Sequence, residues 1–354
     1  MGKTVVFAVA GSGKTTRIVE EIGSGRRCLV FTYTEENART LRRKITLCYG
    51  GMPMGVTVMT YFTFLHTFCF RPIMGLKMRN RGLGFSDLPE RDRFKQTEDD
   101  YYLDSSGRLY HSRLAKLLIE RALIGDVIER IDQFFDLVCV DEVQDFSGND
   151  FNFLLRLAGI QAELLMLGDF RQHTYDTSRD HSVNRGLHDD FDLYVKRYEK
   201  AGINVDTTSL SKSRRSQRLG IPFDTASDRQ AYSQRLGIPF DTASDRQASV
   251  IDVTSQDEAD ALWRRQDLVK LFYQEHVAYE CLSQNWGASK GEDHHDEVCV
   301  VLNAKTLQLH KGMKLKALPP ATLNKLYVAL SRSRGNVYLV SHAYLDRHKT
   351  KPLG

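Results

Sequence analysis

The apolar run Thr4–Ala10 opens directly into Gly11, Ser12, Gly13, Lys14 and Thr15, and a helical pattern follows. That order restricts the N-terminal half to very few folds. A strand that ends in glycines and continues as a helix turns backbone N–H groups, and the positive end of the helix, onto a single point. An anion with several oxygens, such as a chain of phosphates, satisfies such a point. Gly11 and Gly13 release the backbone from the limits that a side chain imposes, so Ala10, Gly11, Ser12, Gly13, Lys14, Thr15 and Thr16 form a candidate phosphate cradle. Lys14 would reach the terminal phosphates and the Thr15 hydroxyl would ligate Mg²⁺. The first position of the loop is Ala8, where such loops commonly begin with glycine.

A second apolar run, Asp136–Val140, delivers two adjacent carboxylates, Asp141 and Glu142, at its end. Asp141 can hold Mg²⁺, with Thr15 as the other metal-facing group, and Glu142 can orient and deprotonate an attacking water. Paired with the phosphate loop, these carboxylates point to nucleoside triphosphate hydrolysis. They argue against a small-molecule kinase, because Glu142 serves water.

Further strand-like runs occur at Arg27–Phe31, Val56–Thr60 and Glu163–Leu167, separated by helical patterns. The alternation predicts an α/β fold with parallel sheets. A second series follows, with strands expected at Asn204–Leu210, Ser249–Val253, Glu297–Leu302 and Asn336–Ser341, and helices at Glu258–Gln274 and Ala321–Ser331. The 354 residues suffice for two domains of ordinary size. The expected division is 1–175 and 176–354, with an insertion in the first domain at about 66–132. That insertion carries a basic stretch, Arg71–Arg81, suited either to a nucleic-acid backbone or to a solvated surface. In the second domain Ser216–Ala231 recurs unchanged at Ser233–Ala248, a duplication at 216–248 to which no chemistry is assigned.

Composition sets outer limits. With 27% charged and 42% hydrophobic residues and no apolar window of membrane-spanning length, the sequence predicts a soluble, cytoplasmic protein with no membrane partner. The six cysteines form no CxxC pair, so neither a zinc site nor a disulfide framework is expected. His294 and His295, beside Asp293 and Asp296, read as a solvated loop more readily than as a metal site. A net charge of +4 is compatible with a nucleic-acid partner without requiring one.

The ordered motifs resemble one family, the UvrD/Rep branch of the superfamily 1 helicases. Asp141–Asp145 resembles its DExxQD box, and Leu167–Gln172 resembles GDxxQ, in which the glutamine, here Gln172, senses the γ-phosphate. Thr32–Ala38 resembles the TFTNKAA segment that touches single-stranded DNA, and Thr60, Tyr61 and Phe62 sit where the family has a second strand-contacting segment, TFH. Leu210–Ser216 is similar to LxxNYRS, Tyr327–Arg334 to YVAxTRA, and Thr306–Leu315 to TxHxxKGLEF. The fold implied is two RecA-like phosphate-loop domains in tandem.

The resemblance implies an ATP- and Mg²⁺-dependent single-stranded DNA translocase or helicase, moving 3′ to 5′. By that match Arg215 and Arg332 reach the γ-phosphate, and His310 belongs to the segment linking nucleotide to nucleic acid. Arg214 stands for the stacking tyrosine, and Lys314, two residues after Gly312, stands for the ribose-contacting glutamate. An arginine plane can also stack on a purine. Strand contact would come from Thr34 and Thr60 toward the backbone and from Tyr33, Tyr61 or Phe62 toward the bases. RNA stays open beside DNA, because such contacts leave the sugar unread. The interval Ser216–Thr306 is too short for the large accessory subdomain of UvrD and Rep, which favours a second possibility: a DNA-stimulated ATPase switch that recruits or activates a partner such as a nuclease. A nucleotide-binding scaffold without hydrolysis is the third, opposed by the intact Lys14, Asp141, Glu142, Gln172, Arg215 and Arg332.

Overall fold

The computed structural model describes residues 2–23, 25–173, 183–210, 249–290 and 295–350. The chain is mixed α/β with two wholly parallel major sheets, and it divides into two compact units. The first comprises Met1–Phe7, Lys14–Gly168 and Tyr175–Thr207; the second comprises Ala8–Gly13, Asp169–Thr174 and Thr208–Gly354.

In the first unit, β1 (Lys3–Phe7), β2 (Cys28–Thr32), β3 (Val56–Thr60), β6 (Leu137–Val140), β7 (Glu163–Gly168) and β8 (Asn204–Asp206) form a six-stranded sheet in the order β3-β2-β6-β7-β1-β8. Strands β2 and β6 are buried along their whole length. Both faces of the sheet are therefore covered, which is why these strands read as continuous apolar runs and not as alternating ones. Because all strands run the same way, their carboxyl ends lie along one edge. The residues that follow β1, β2, β3 and β6 leave the sheet from that edge, where parallel α/β sheets bind their ligands.

Strand β8 differs from expectation. It was expected to open the second series, yet it pairs in parallel with β1, Val5 opposite Val205. The preceding helix Phe191–Lys200 packs on the same unit through rings. Phe7 lies 5.3 Å from Phe191 and 5.5 Å from Tyr194, and the Tyr194 hydroxyl donates to the Val143 carbonyl at 3.2 Å. This aromatic packing carries the first unit to Thr207, beyond the division expected near Tyr175, a residue that itself lies outside the described ones.

The insertion after β3 is built from a π-helix (Phe64–Phe70), a two-stranded parallel ladder of β4 (Leu83–Gly84) and β5 (Leu109–Tyr110), and helices His111–Glu120 and Ile124–Phe134. Arg113, only 1% exposed, anchors it: the guanidinium lies 3.8 Å from the Tyr101 ring centre and is paired with Asp92.

The second unit holds β9 (Val250–Asp252), β10 (Val269–Phe272), β11 (Ser283–Asn285), β12 (Val298–Leu302) and β13 (Val337–Ser341) in the order β11-β10-β12-β13-β9. One face packs Val269, Leu271, Val298 and Val300 against Trp286, whose indole N–H donates to the Leu271 carbonyl at 2.9 Å. The other packs Leu268, Phe272 and Val301. The helix expected over 258–274 ends at Arg264, and Val269–Phe272 is a central strand. The duplication at 216–248 lies outside the described residues. Among the described residues no helix is long and apolar enough to cross a membrane, and all six cysteines are free.

Candidate nucleotide and strand-contact site

In the first unit, helix α1 (Lys14–Ile22) begins where the glycine loop after β1 ends. Gly11 and Gly13 have φ of 75° and 100°, a region closed to most side-chain-bearing residues, so these two positions need glycine for the turn itself. Lys14 is 9% exposed, Thr15 is half-buried and Thr16 is exposed. Ser12 is buried, and its hydroxyl has no hydrogen-bond partner among the described residues. An unmet buried hydroxyl inside a glycine loop fits an oxygen-rich ligand.

The acidic pair follows β6. Asp141 is 5% exposed, and its carboxylate Oδ1 accepts the Glu142 backbone N–H at 3.0 Å. Glu142 adopts φ 57°, ψ 48°, a left-handed conformation that costs a residue bearing a β-carbon about 1–2 kcal/mol. The strain turns the chain sharply at the sheet edge and sets the two carboxyls side by side. Gln144, wholly buried, donates through Nε2 to Glu142 Oε2 at 2.5 Å, holding that carboxylate in place.

Burial pushes the Asp141 carboxyl up to about 7, and the neighbouring Glu142 charge adds to the rise, against the opposing pull of Lys14 and Lys44. A desolvated carboxyl beside a second carboxylate, with the Thr15 hydroxyl at the start of α1, supplies hard oxygen donors, so the donor set fits a divalent cation held by Asp141 and Thr15. Lys44, on helix α2 (Glu35–Tyr49), had no place in the expected site. It lies in the Leu41–Ile45 stretch that continues the TFTNKAA-like segment, and its charge acts on Asp141.

Gly168, at the end of β7, is required for close approach. A β-carbon there would lie 2.5 Å from Val143 Cγ2 and 2.7 Å from Gln144 Oε1. The glycine of the GDxxQ-like segment thus makes room for the glutamine that holds Glu142.

Within the second unit, one phenol ties three motifs together. The Tyr327 hydroxyl accepts the Ala10 N–H at 3.0 Å and donates to Asp169 Oδ2 at 2.9 Å. Gln172 Nε2 donates to the same oxygen at 2.9 Å. Tyr327 is buried, and burial pushes its phenol well above the usual tyrosine range, so the proton it donates stays on at every working pH. Tyr327 and Asp169 stood inside recognisable motifs but carried no expected role. Arg332 is 1% exposed; its Nε donates to the Val328 carbonyl and its Nη2 to Ser331 Oγ, each at 2.9 Å. This places Arg332 as a cap on the helix Pro320–Leu330. Arg214 and Arg215 lie outside the described residues.

The strand-contact residues divide by exposure. Thr34 is exposed, caps α2 by accepting the Asn37 N–H at 3.2 Å, and adjoins the half-buried Tyr33. Thr60 and Phe62 are buried, at 6% and 8% exposure. Tyr61 is completely enclosed, 4.8 Å from Phe146, and donates to Asp150 Oδ1 at 3.2 Å. Its position is that of a core aromatic and offers no ring face to a base. His310, in the second unit, is likewise inward, with Nε2 at 2.8 Å from Asp252 Oδ1, while Gly312 and Lys314 are exposed just beyond its helix. His294 lies outside the described residues, and among the described residues no three histidine, cysteine or acidic side chains gather as a metal cluster.

No family model matches the chain, and no curated protein does. Solved helicase structures are similar in three dimensions. The PRRSV helicase aligns with 99% of this chain and 55% of its own length, at 12% identity and a TM-score of 0.46. Arterivirus nonstructural protein 10, a helicase, aligns with 95% of this chain and 59% of its own length at 14% identity and a TM-score of 0.47. Its complex with DNA gives 95%, 60%, 13% and 0.48 for the same four quantities. This chain therefore spans little more than half the length of those proteins.

Proposed function

We propose that this chain is an ATP hydrolase that moves along single-stranded nucleic acid, a translocase of the helicase type. The observation that carries the reading is the adjacent pair of carboxyls, Asp141 buried and Glu142 half-buried, set by a left-handed turn within the electrostatic reach of Lys14. A structural ion cluster gains nothing from a strained glutamate held by a buried glutamine. A hydrolase gains an aimed base.

In this mechanism the loop amides and Lys14 bind the β- and γ-phosphates of ATP. Thr15 and Asp141 would hold Mg²⁺, which when bound offsets the charge on the transferring phosphoryl group. Glu142, oriented by Gln144, takes a proton from the attacking water as its oxygen reaches the γ-phosphorus. Gln172, held by Asp169, reports the presence of that phosphate, and Arg332 with Arg215 supplies positive charge to the transition state. Tyr33 and Thr34 follow β2, and Thr60 and Phe62 stand at the end of β3, the strand ends from which the first unit would grip a single strand. Travel is assigned 3′ to 5′, with DNA as the strand, by the family resemblance.

A second reading, a nucleic-acid-stimulated ATPase that switches a partner such as a nuclease, draws support from the interval after Ser249. Every described strand there belongs to the one five-stranded sheet, leaving no accessory subdomain among the described residues. The test is ATP hydrolysis with and without single-stranded DNA, by the intact chain and by Glu142→Gln, together with unwinding of a forked duplex. Stimulated hydrolysis that falls at least a hundredfold in Glu142→Gln, on the scale of losing a general base, supports the hydrolase. Unwinding then selects the helicase and its absence the switch; no hydrolysis under any condition overturns both.

A further inference from the structure

The insertion of the first unit carries an exposed ring that the reading above does not use. Strands β4 and β5 pair in parallel with Leu83 opposite Leu109 and Gly84 opposite Tyr110. A parallel ladder keeps its register as it ends, so the next residues, Phe85 and His111, emerge side by side. Their ring centres are 4.9 Å apart with planes 28° from parallel. His111 Nδ1 lies 3.3 Å from the Gly84 carbonyl, which fixes the imidazole under the phenyl ring. Phe85 itself is 67% exposed.

A lone exposed aromatic is commonplace, but Phe85 is the outer end of a row. Phe62 meets His111 edge-on at 5.1 Å and Phe85 edge-on at 5.7 Å, and Tyr33 meets Phe62 at 5.2 Å. Tyr33 and Phe62 belong to the two segments assigned to the nucleic-acid strand, so the row leads from that site out onto the insertion. The segment that precedes β4 supplies charge of the right sign. Arg71, Lys77, Arg79 and Arg81 are exposed and form no ion pair among the described residues. The carboxylates nearby are Asp104, which accepts the Ser106 and Arg108 N–H groups, and Asp87, which acts on His111.

We propose that Phe85, backed by His111, is a stacking platform for an unpaired base of the same single strand, and that cations of the segment leading into β4 hold its phosphates. The inference rests on the strand-binding reading above. A rigid ring on a rigid ladder stacks on any base, because every base presents a π-face, and so the platform adds affinity without sequence preference.

The experiment measures binding of fluorescein-labelled oligothymidylate, and of an abasic oligonucleotide of equal length, by anisotropy over a range of salt. Phe85→Ala is expected to weaken oligothymidylate binding about tenfold, leave the abasic strand unchanged and keep the salt slope, since no phosphate contact is lost. Phe85→Trp is expected to restore binding, and Arg81→Ala to lower the slope by about one phosphate. Thermal melts of each variant separate a lost contact from a lost fold. Equal weakening on both oligonucleotides, or no weakening on either, overturns the platform while leaving strand binding intact. Failure of the unaltered chain to bind any single strand overturns the proposed function and the platform together.

Discussion

Replacing Tyr327 by phenylalanine removes one oxygen and leaves the ring in place, so its consequences follow from the bonds that oxygen makes. Ala10 loses the acceptor of its buried N–H, an unmet donor that costs about 1–3 kcal/mol. Asp169 loses the Tyr327 donor to Oδ2 and keeps Gln172, a loss of about 1 kcal/mol once the hydroxyl's own desolvation is recovered. The expected destabilisation is about 2–4 kcal/mol, seen as a lower urea midpoint with an unchanged slope. The same substitution removes the phenol bridge between Asp169, which holds Gln172, and Ala10 of the phosphate loop. Steady-state hydrolysis should therefore show kcat lowered about tenfold with KM for ATP moved less than threefold, the signature of an interaction that matters more in the transition state than in binding. An unchanged midpoint combined with unchanged kcat would refute the reasoning, because it would mean the phenol carries neither the fold nor the coupling.

Asp141 makes a pH-dependent prediction. A carboxyl raised from 3.8 to about 7 on folding binds its proton more tightly in the folded chain, so stability is fully present at low pH and falls as pH rises between those values. Asp141→Asn should remove that fall: in the absence of nucleotide and Mg²⁺ the variant is expected to be more stable than the parent by up to a few kcal/mol at pH 8 and by little at pH 4, read from urea midpoints. Equal differences at both pH values would count against the buried charge. Gly168→Ala should cost about 1–3 kcal/mol by forcing a methyl against Val143 and Gln144, whereas Gly125→Ala, where nothing lies within 4 Å, should be neutral or stabilising by up to about 1 kcal/mol. Matching melting temperatures for the two alanine variants would show that the close approach at Gly168 is not under strain.

What was legible in the sequence was whatever a local spacing must do. Gly11 and Gly13 announce a loop because only glycine takes those backbone angles freely, and Asp141 and Glu142 announce themselves because a buried apolar run ends on them. Strand β10 was illegible for the opposite reason. Buried on both faces, with Lys270 in its midst, it has no period of two, and Leu262, Leu268, Leu271 and Phe272 fall at spacings that imitate a helix face. Tyr61 and Tyr33 carry the same residue type one strand apart, yet one is core and the other half-exposed, because the helical turn Tyr61–Thr63 that follows β3 packs Tyr61 against Phe146. The tie at Tyr327 is the furthest from the sequence. Its bonds span 158 and 317 residues, and no spacing rule reaches that far. The motifs therefore contain both the groups proposed to touch phosphate and, in Gln144, Gly168 and Tyr327, groups whose part in holding them shows only in the tertiary structure. It follows that variants at Tyr327, Gln144 and Gly168 should damage coupling as severely as fold, although none of the three would meet the nucleotide.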